Sequence, residues 1–423
     1  MEEVREGELK VLGTCLGSAA ARRAFLESNI ATQVATLTRL PGLPNQHAFL
    51  LLSICLQQNL RHLQRSLKSD DISDAWRPLD DALLAAARRL RAAVNSPATD
   101  KDLISLPMRH GGLGLLLHEE VAPHAYAAAI QLSDKVLAPL LEIDPEGTEP
   151  ILSQSDRCLV VFAKRHEELL GQLNPLERRT VVEAGTQLGR IWLSAIPFNP
   201  SQRLSDQEFS GGLHIRTLCR GQDANCHYCQ VENSFGHDDV CDHRRSWRAA
   251  RHEKVKHTLV NAIKSTKNNR IQLEPVVPNS IDRTDFRVTG SCAPGGGSHE
   301  FDLTIVSLAT LQAGRIALAT EESLPVEELD SFIDYVIPVL ATNTAICIEK
   351  YLATVAAEKN TKYANRTATP FSPLVFSLGG AMDTGTLKIM EAWKKDMSGN
   401  TYGFMAKSIS LTLLRARVKF FAF

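Results

Sequence analysis

The sequence has no run of about 18 apolar residues of the kind that spans a bilayer, no internal repeat and no low-complexity tract. It lacks a P-loop, a GxSxG elbow and an HExxH pair, so the local signatures of nucleotide hydrolases, serine hydrolases and zinc proteases are missing. It also lacks an excess of either charge. Its 47 Lys and Arg offset 48 Asp and Glu, for a formal net charge of -1, so any contact with nucleic acid must come from a local basic patch. The opening MEEVREGELKVLG carries acids where a secretory signal has a basic segment and an apolar run. A soluble, intracellular protein with no membrane partner is therefore expected. The nine cysteines are odd in number and mostly isolated, which argues against a disulfide framework. What remains is 423 residues, 44% hydrophobic and 22% charged, enough for two to four globular domains.

From about residue 16 to 195 apolar residues recur at helical spacing, as in Ala82, Leu83, Ala86, Leu90 and Val94, with arginines opposite. Breaks fall at PGLPNQ, NSPATDK, PMRHGGLG and IDPEGTEP. The segment HRRSWRAARHEKVKHTLVNAIKS (243 to 265) reads as a basic helix with Val255, Leu259 and Ile263 on one face. Three short runs rich in β-branched residues follow, IQLEPVV, DFRVTG and EFDLTIVSL, and predict a small meander of strands. A helical stretch from about 325 to 365 precedes one more strand, FSPLVFSLGG, and one more amphipathic helix, TGTLKIMEAWKKDM. The C-terminal half thus reads α, β, β, β, α, β, α.

Three constellations carry chemistry. Cys226, Cys229, His237 and Cys241 make C-x2-C-x7-H-x3-C, a spacing that closes a tetrahedron around structural zinc with no open position. His243 and Cys219 stand as alternatives for the fourth ligand. Next, the basic helix offers Arg244, Arg245, Arg248, Arg251, His252 and Lys254 as phosphate contacts, with a solvated helix face as the plainer alternative. Last, Glu274, Asp285 and Asp302 sit on or beside three consecutive strands. Asp302, between Phe301 and Leu303, should point away from the face those residues bury. Carboxylates gathered from neighbouring strands suit Mg²⁺, and a lysine is wanted beside them; Thr304 is not one, whereas Lys359 and Lys362 share a helix face further on. Upstream of the Cys/His spacing, the Asp-Asp pairs that a template-copying polymerase needs are represented only by Asp70 with Asp71 and Asp80 with Asp81, both read as helix starts.

The order LPMRHGGLGLLL, APHAYAAA, IWLSAIP, the Cys/His knuckle, RRSWRAARHEKVKHTLV, LEPV, RTDFRV, HEFDLTIVS, KNTKYA and PFSPLVFSLGG resembles the C-terminal part of non-LTR (LINE-type) retrotransposon polyproteins. More narrowly, it resembles the class that ends in a zinc knuckle and a restriction-like endonuclease. The resemblance implies an α+β multidomain chain. Residues 1–145 would be the helical thumb and connector of a reverse transcriptase, 146–215 a helical linker, 216–243 the zinc knuckle, and 244–423 a PD-(D/E)xK endonuclease with an αβββαβ core. Arg251 with His252 matches the family's Arg-His, Glu274 an assisting acid, Asp285 and Asp302 the metal-binding acids, and Lys362 with Tyr363 the lysine-tyrosine pair. Thr284 stands where a proline commonly precedes the first aspartate.

The implied activity is Mg²⁺-dependent nicking of target DNA in the nucleus. The partners would be DNA, element RNA and an upstream polymerase portion in another chain, because the fingers and palm are missing here. The alternative is a nucleic-acid-binding remnant without catalysis. Convergence of the three acids with Lys362 is expected of the enzyme, and a Lys362 directed elsewhere is expected of the remnant.

Overall fold

The computed structural model describes residues 8–92, 96–141, 152–219, 225–324, 339–363 and 365–419, apart from the side chains at 8 and 244–246. The chain divides into two compact units, with the boundary between Leu169 and Leu170. Among the described residues no helix is long and apolar enough to cross a membrane.

The first unit opens with a hairpin that the helical period did not anticipate, β1 (Glu8–Val11) antiparallel to β2 (Thr14–Gly17). Helices follow: α1 (Ala19–Leu37), α2 (Asn45–Leu50), α3 (Arg61–Ser66), α4 (Arg77–Arg91), α5 (Asp100–Ser105), α6 (His118–Leu141) and most of α7 (Gln154–Gln172). In α4, Leu79, Leu83, Ala86 and Leu90 are buried, as the spacing requires. Both Asp-Asp pairs serve structure. Asp71 receives Arg22 at 2.7 Å. Buried Asp80 accepts the N–H groups of His118 and Glu119 at 2.7 and 2.9 Å, satisfying orphan donors at the start of α6. The PMRHGGLG break needs its glycine at 112, where a Cβ would stand 2.1 Å from the Leu106 carbonyl oxygen.

The second unit holds α8 (Pro175–Gly185), α9 (Gln187–Arg190), α10 (Asp206–Arg216), α11 (His237–Val240) and α12 (Arg245–Ser265) before its sheet begins. The strands are β3 (Asn269–Leu273), β4 (Phe286–Gly290), β5 (Ser298–Val306) and β6 (Phe371–Ser377). They lie in chain order, antiparallel except for the parallel β5/β6 pair. A parallel pair needs a long crossover, supplied by α13 (Leu311–Ser323) and α14 (Val339–Tyr363). Two helices follow, α15 (Thr384–Asp396) and α16 (Gly399–Val418). Pro373 is tolerated in β6 because that strand is a sheet edge.

Alternation along the strands builds three layers. Phe286, Val288, Phe301, Leu303, Leu374 and Phe376 pack on one side against α12, α15 and α16. Val375 faces the other side with Ile348, Tyr351, Leu352 and Val355 of α14. The element order expected for the C-terminal half is observed, with α13 and α16 in addition; of the helical stretch expected from about 325 to 365, residues 325–338 lie outside the described residues. The run IQLEPVV stops being a strand at Leu273, because Glu274 turns the backbone to φ +47°. Of the stretch expected as a linker, the part from Leu170 belongs to the second unit, with α8 beside α14 and both α9 and α10 beside α16.

Trp393 is 1% exposed, meets the Phe301 ring edge-on at 5.5 Å, and donates its indole N–H to the Cys292 carbonyl at 2.8 Å. Trp393→Ala is expected to cost about 3–5 kcal/mol in chemical denaturation. Ile281→Ala, at a side chain 98% exposed, should stay within about 0.5 kcal/mol of the parent.

Candidate functional site

Two clusters of reactive side chains lie in the second unit, joined by α12. The first is the Cys/His group. Cys226 and Cys229 are held by a tight turn in which the Gln230 N–H reaches the Cys226 carbonyl at 2.9 Å and the Cys226 N–H reaches Val231 at 2.8 Å. His237 opens α11 directly after Gly236, whose φ is +85° and whose Cβ position lies 2.9 Å from Ala309 and 3.0 Å from Leu176. A side chain there would clash as well as strain the backbone. One helical turn later, the Cys241 N–H closes on the His237 carbonyl.

The four ligand atoms lie within 4.8 Å of one another, with Cys226 Sγ 3.9 Å from Cys241 Sγ and Cys229 Sγ 3.1 Å from His237 Nε2. Zn–S bonds of about 2.3 Å make a tetrahedral S···S edge of about 3.8 Å, so the cluster could hold a metal such as zinc. Cys219 and His243 are outside the group. Desolvation opposes ionisation of Cys226, but hydrogen bonds from the N–H groups of Cys229 and Tyr228 and from the His237 and Cys229 side chains together outweigh it and bring the thiol down to about 6. Four protein ligands leave no open coordination position, which fits a structural role.

The second cluster forms where β4 enters the sheet beside the middle of β5. Asp285 precedes β4; its Oδ2 accepts the Leu303 N–H at 2.6 Å and meets His252 Nε2 at 3.1 Å. His252 Nε2 also lies 3.0 Å from the Leu303 carbonyl. Its hydrogen bond to Asp285 raises its pKa against the effect of burial, with Glu253 at 3.5 Å and Lys256 as further charged neighbours. Lys256, 3% exposed, reaches Glu253 at 2.7 Å, Glu274 at 3.2 Å and Asp285 at 3.8 Å. Asp302 points away from Phe301 and Leu303, as alternation requires, and meets Lys359 Nζ of α14 at 2.6 Å. Tyr363 Oη stands 3.5 Å from Asp302 and donates to the Arg283 carbonyl at 3.1 Å. Burial raises the Asp302 pKa, the Lys359 ammonium opposes that, and the charge of Asp285 adds to it.

Three expectations need correction. Lys362 does not join the acids: it pairs with Asp282 at 3.2 Å and lies over the Tyr363 ring, and Lys359 holds the position beside Asp302. The Glu274 carboxylate is linked to that of Asp285 through Lys256, and among the described residues the three acids are not a group that could hold a metal, whereas the Cys/His set is. The basic helix is not one phosphate-gripping face. Arg248 donates to the Val240 and Cys241 carbonyls; Arg251 is lowered to about 10, chiefly by burial; His252 serves Asp285; and Lys254 alone of these is exposed. The side chains of Arg244 and Arg245 lie outside the described residues.

Lys256 was missed as a site residue, although its spacing of four from His252 places both on one face of α12. Thr284 has a local reason. Its N–H bonds the Pro275 carbonyl at 3.2 Å and its hydroxyl donates to buried Glu300 at 2.8 Å, both of which a proline would lose. No protein-family model matches the chain, and no curated protein matches it.

Two outcomes are expected. Purified protein should carry about one zinc per chain, and Cys229→Ala should abolish it, as read by metal analysis and by the thiolate charge-transfer bands of a cobalt-substituted sample. His252 has a folded-state pKa above its unfolded value, so the pair with Asp285 stabilises fully below about pH 6.5 and loses that stabilisation as pH rises through the folded value. The melting temperature of His252→Gln should fall further below the parent near pH 5.5 than near pH 8.5.

Proposed function

We propose that the second unit is a metal-dependent DNA endonuclease of the PD-(D/E)xK type, derived from a non-LTR retroelement, with the Cys/His cluster as its structural zinc site. The observation that carries the reading is Lys359. A lysine from the crossover helix meets Asp302 of β5, while Asp285, from the start of β4, lies close enough to raise the Asp302 pKa. Two acids from adjacent strands and a lysine on a helix packed against them form the side-chain set that phosphodiester hydrolysis needs. The order α, β, β, β, α, β around them supports the same reading.

The donors fit Mg²⁺ better than zinc, because both are hard carboxylate oxygens, and Mg²⁺ keeps most of its waters and needs only one or two carboxylates. Asp285 and Asp302 would hold it, and when bound it would supply a positive charge for the phosphodiester transition state and a more acidic water. Lys359 would hold a phosphate oxygen, and its distance from Asp302 would grow as it does so. His252 keeps Asp285 oriented through Oδ2, and Lys256 offsets the charge of Glu253, Glu274 and Asp285. Nuclear action on DNA, with element RNA and a separately supplied polymerase portion as partners, belongs to the same proposal.

A nucleic-acid-binding remnant is the second reading, favoured by Lys362, which is directed at Asp282 instead of the acids. Nicking of supercoiled plasmid with Mg²⁺ or Mn²⁺ separates the two. The parent is expected to nick, and the Asp285→Ala, Asp302→Ala double variant is expected to be inactive. Lys359→Ala should lose on the order of 10²-fold or more, and Lys362→Ala less than about tenfold. A folded, zinc-loaded parent that does not nick leaves the binding remnant; a Lys362 variant worse than the Lys359 variant reverses the lysine assignment.

A further inference from the structure

A groove of about 1000 Å³ lies on the side of α12 away from Asp285, walled by α12, α16 and the segment around Phe198. Helix α12 gives it Lys254, Thr258, Asn261 and Ser265, spaced four, three and four apart and so on one face. Helix α16 gives Asn400, Phe404, Lys407 and Ser408. Among the described residues no Asp or Glu lines it. Arg415, at one end, is occupied in fastening the loop, donating to the carbonyls of Ser201 and Arg203 and pairing with Glu208 at 3.5 Å. Among the described lining residues, the ammonium groups of Lys254 and Lys407 are therefore the cations left for a ligand. Ser408 Oγ is buried with no hydrogen-bond partner, and Phe198 and Phe404 are 74% and 43% exposed.

We infer that this groove binds single-stranded nucleic acid. An acid-free lining with lysines, hydroxyls and amides suits a phosphodiester backbone, whose oxygens accept hydrogen bonds from all three. Exposed phenylalanines suit bases, but only unpaired ones, because the faces of paired bases are already covered by their neighbours in the stack. The groove volume suits on the order of four nucleotides, the low end of single-strand site sizes. The inference rests on the nucleic-acid reading above but uses none of its catalytic residues.

The test is fluorescence anisotropy of the full chain with a fluorescein-labelled oligothymidylate of about 12 nucleotides, beside a duplex of equal length. Plasmid nicking is measured on the same preparations. The Phe198→Ala, Phe404→Ala double variant is expected to weaken oligothymidylate binding about tenfold or more and to leave duplex binding nearly unchanged. The Lys254→Ala, Lys407→Ala double variant should flatten the logarithmic salt slope by about 1.4. Circular dichroism and zinc content confirm that each variant is folded. Oligothymidylate binding untouched by both double variants, or equal losses for duplex, overturns the inference. Displacement by polyglutamate as effective as by unlabelled oligonucleotide also overturns it, in favour of an acidic protein partner. A parent that nicks while its oligothymidylate binding ignores the groove variants sinks the groove alone; a parent that fails to nick but shows the expected groove losses sinks the nuclease alone.

Discussion

A lysine ammonium inside a folded domain must be surrounded by opposite charge, because burying it unpaired costs more than most single contacts return. Lys256 meets that condition with Glu253 from its own helix, Glu274 from the turn after β3, and Asp285 from the entry to β4. Burial alone would lower its pKa, and the carboxylates more than reverse this. Three separate pieces of chain are thereby drawn to one point. Glu274 holds a left-handed backbone conformation there, a strain that persists when its surroundings over-determine it.

Helix α12 carries this constraint outward. Its core face, with Val255, Leu259 and Ile263, packs on the sheet, and a second face presents His252 and Lys256 to Asp285. Near its start, Arg248 donates to the last carbonyls of the metal-ligand helix, including that of Cys241. The far end of α16 makes a second tie, where buried Arg417 pairs with Asp239 of α11 at 2.7 Å and lies 3.7 Å from Glu183. The Cys/His cluster is thus fastened to the same helix that orients Asp285.

The legible parts of the sequence were those with a strict local rule. Strand β5 alternates Phe301, Asp302 and Leu303, so the direction of Asp302 follows from the pleat, and the spacing C-x2-C-x7-H-x3-C points to the Cys/His group, while the exclusion of Cys219 and His243 comes from the structure. Helix α16 escaped notice because it is buried on several sides, as Met405, Ile409, Leu411 and Leu413 show, and so has little polar face to mark a period. Helix α13 is obscured from the other direction, with Leu311 and Leu318 exposed. The choice between Lys359 and Lys362 is a matter of about 60° of rotation about α14. That rotation is set by how Tyr351, Leu352 and Val355 seat on the sheet, a tertiary fact with no local signature.

Anomalous diffraction from crystals grown with Mn²⁺ tests the proposed catalytic centre most directly. A nuclease should give a zinc peak among Cys226, Cys229, His237 and Cys241, and a separate manganese peak beside Asp285 and Asp302, with Lys359 Nζ displaced from Asp302. A zinc peak alone, with Lys359 still bonded to Asp302 at saturating Mn²⁺, would contradict a metal-dependent nuclease.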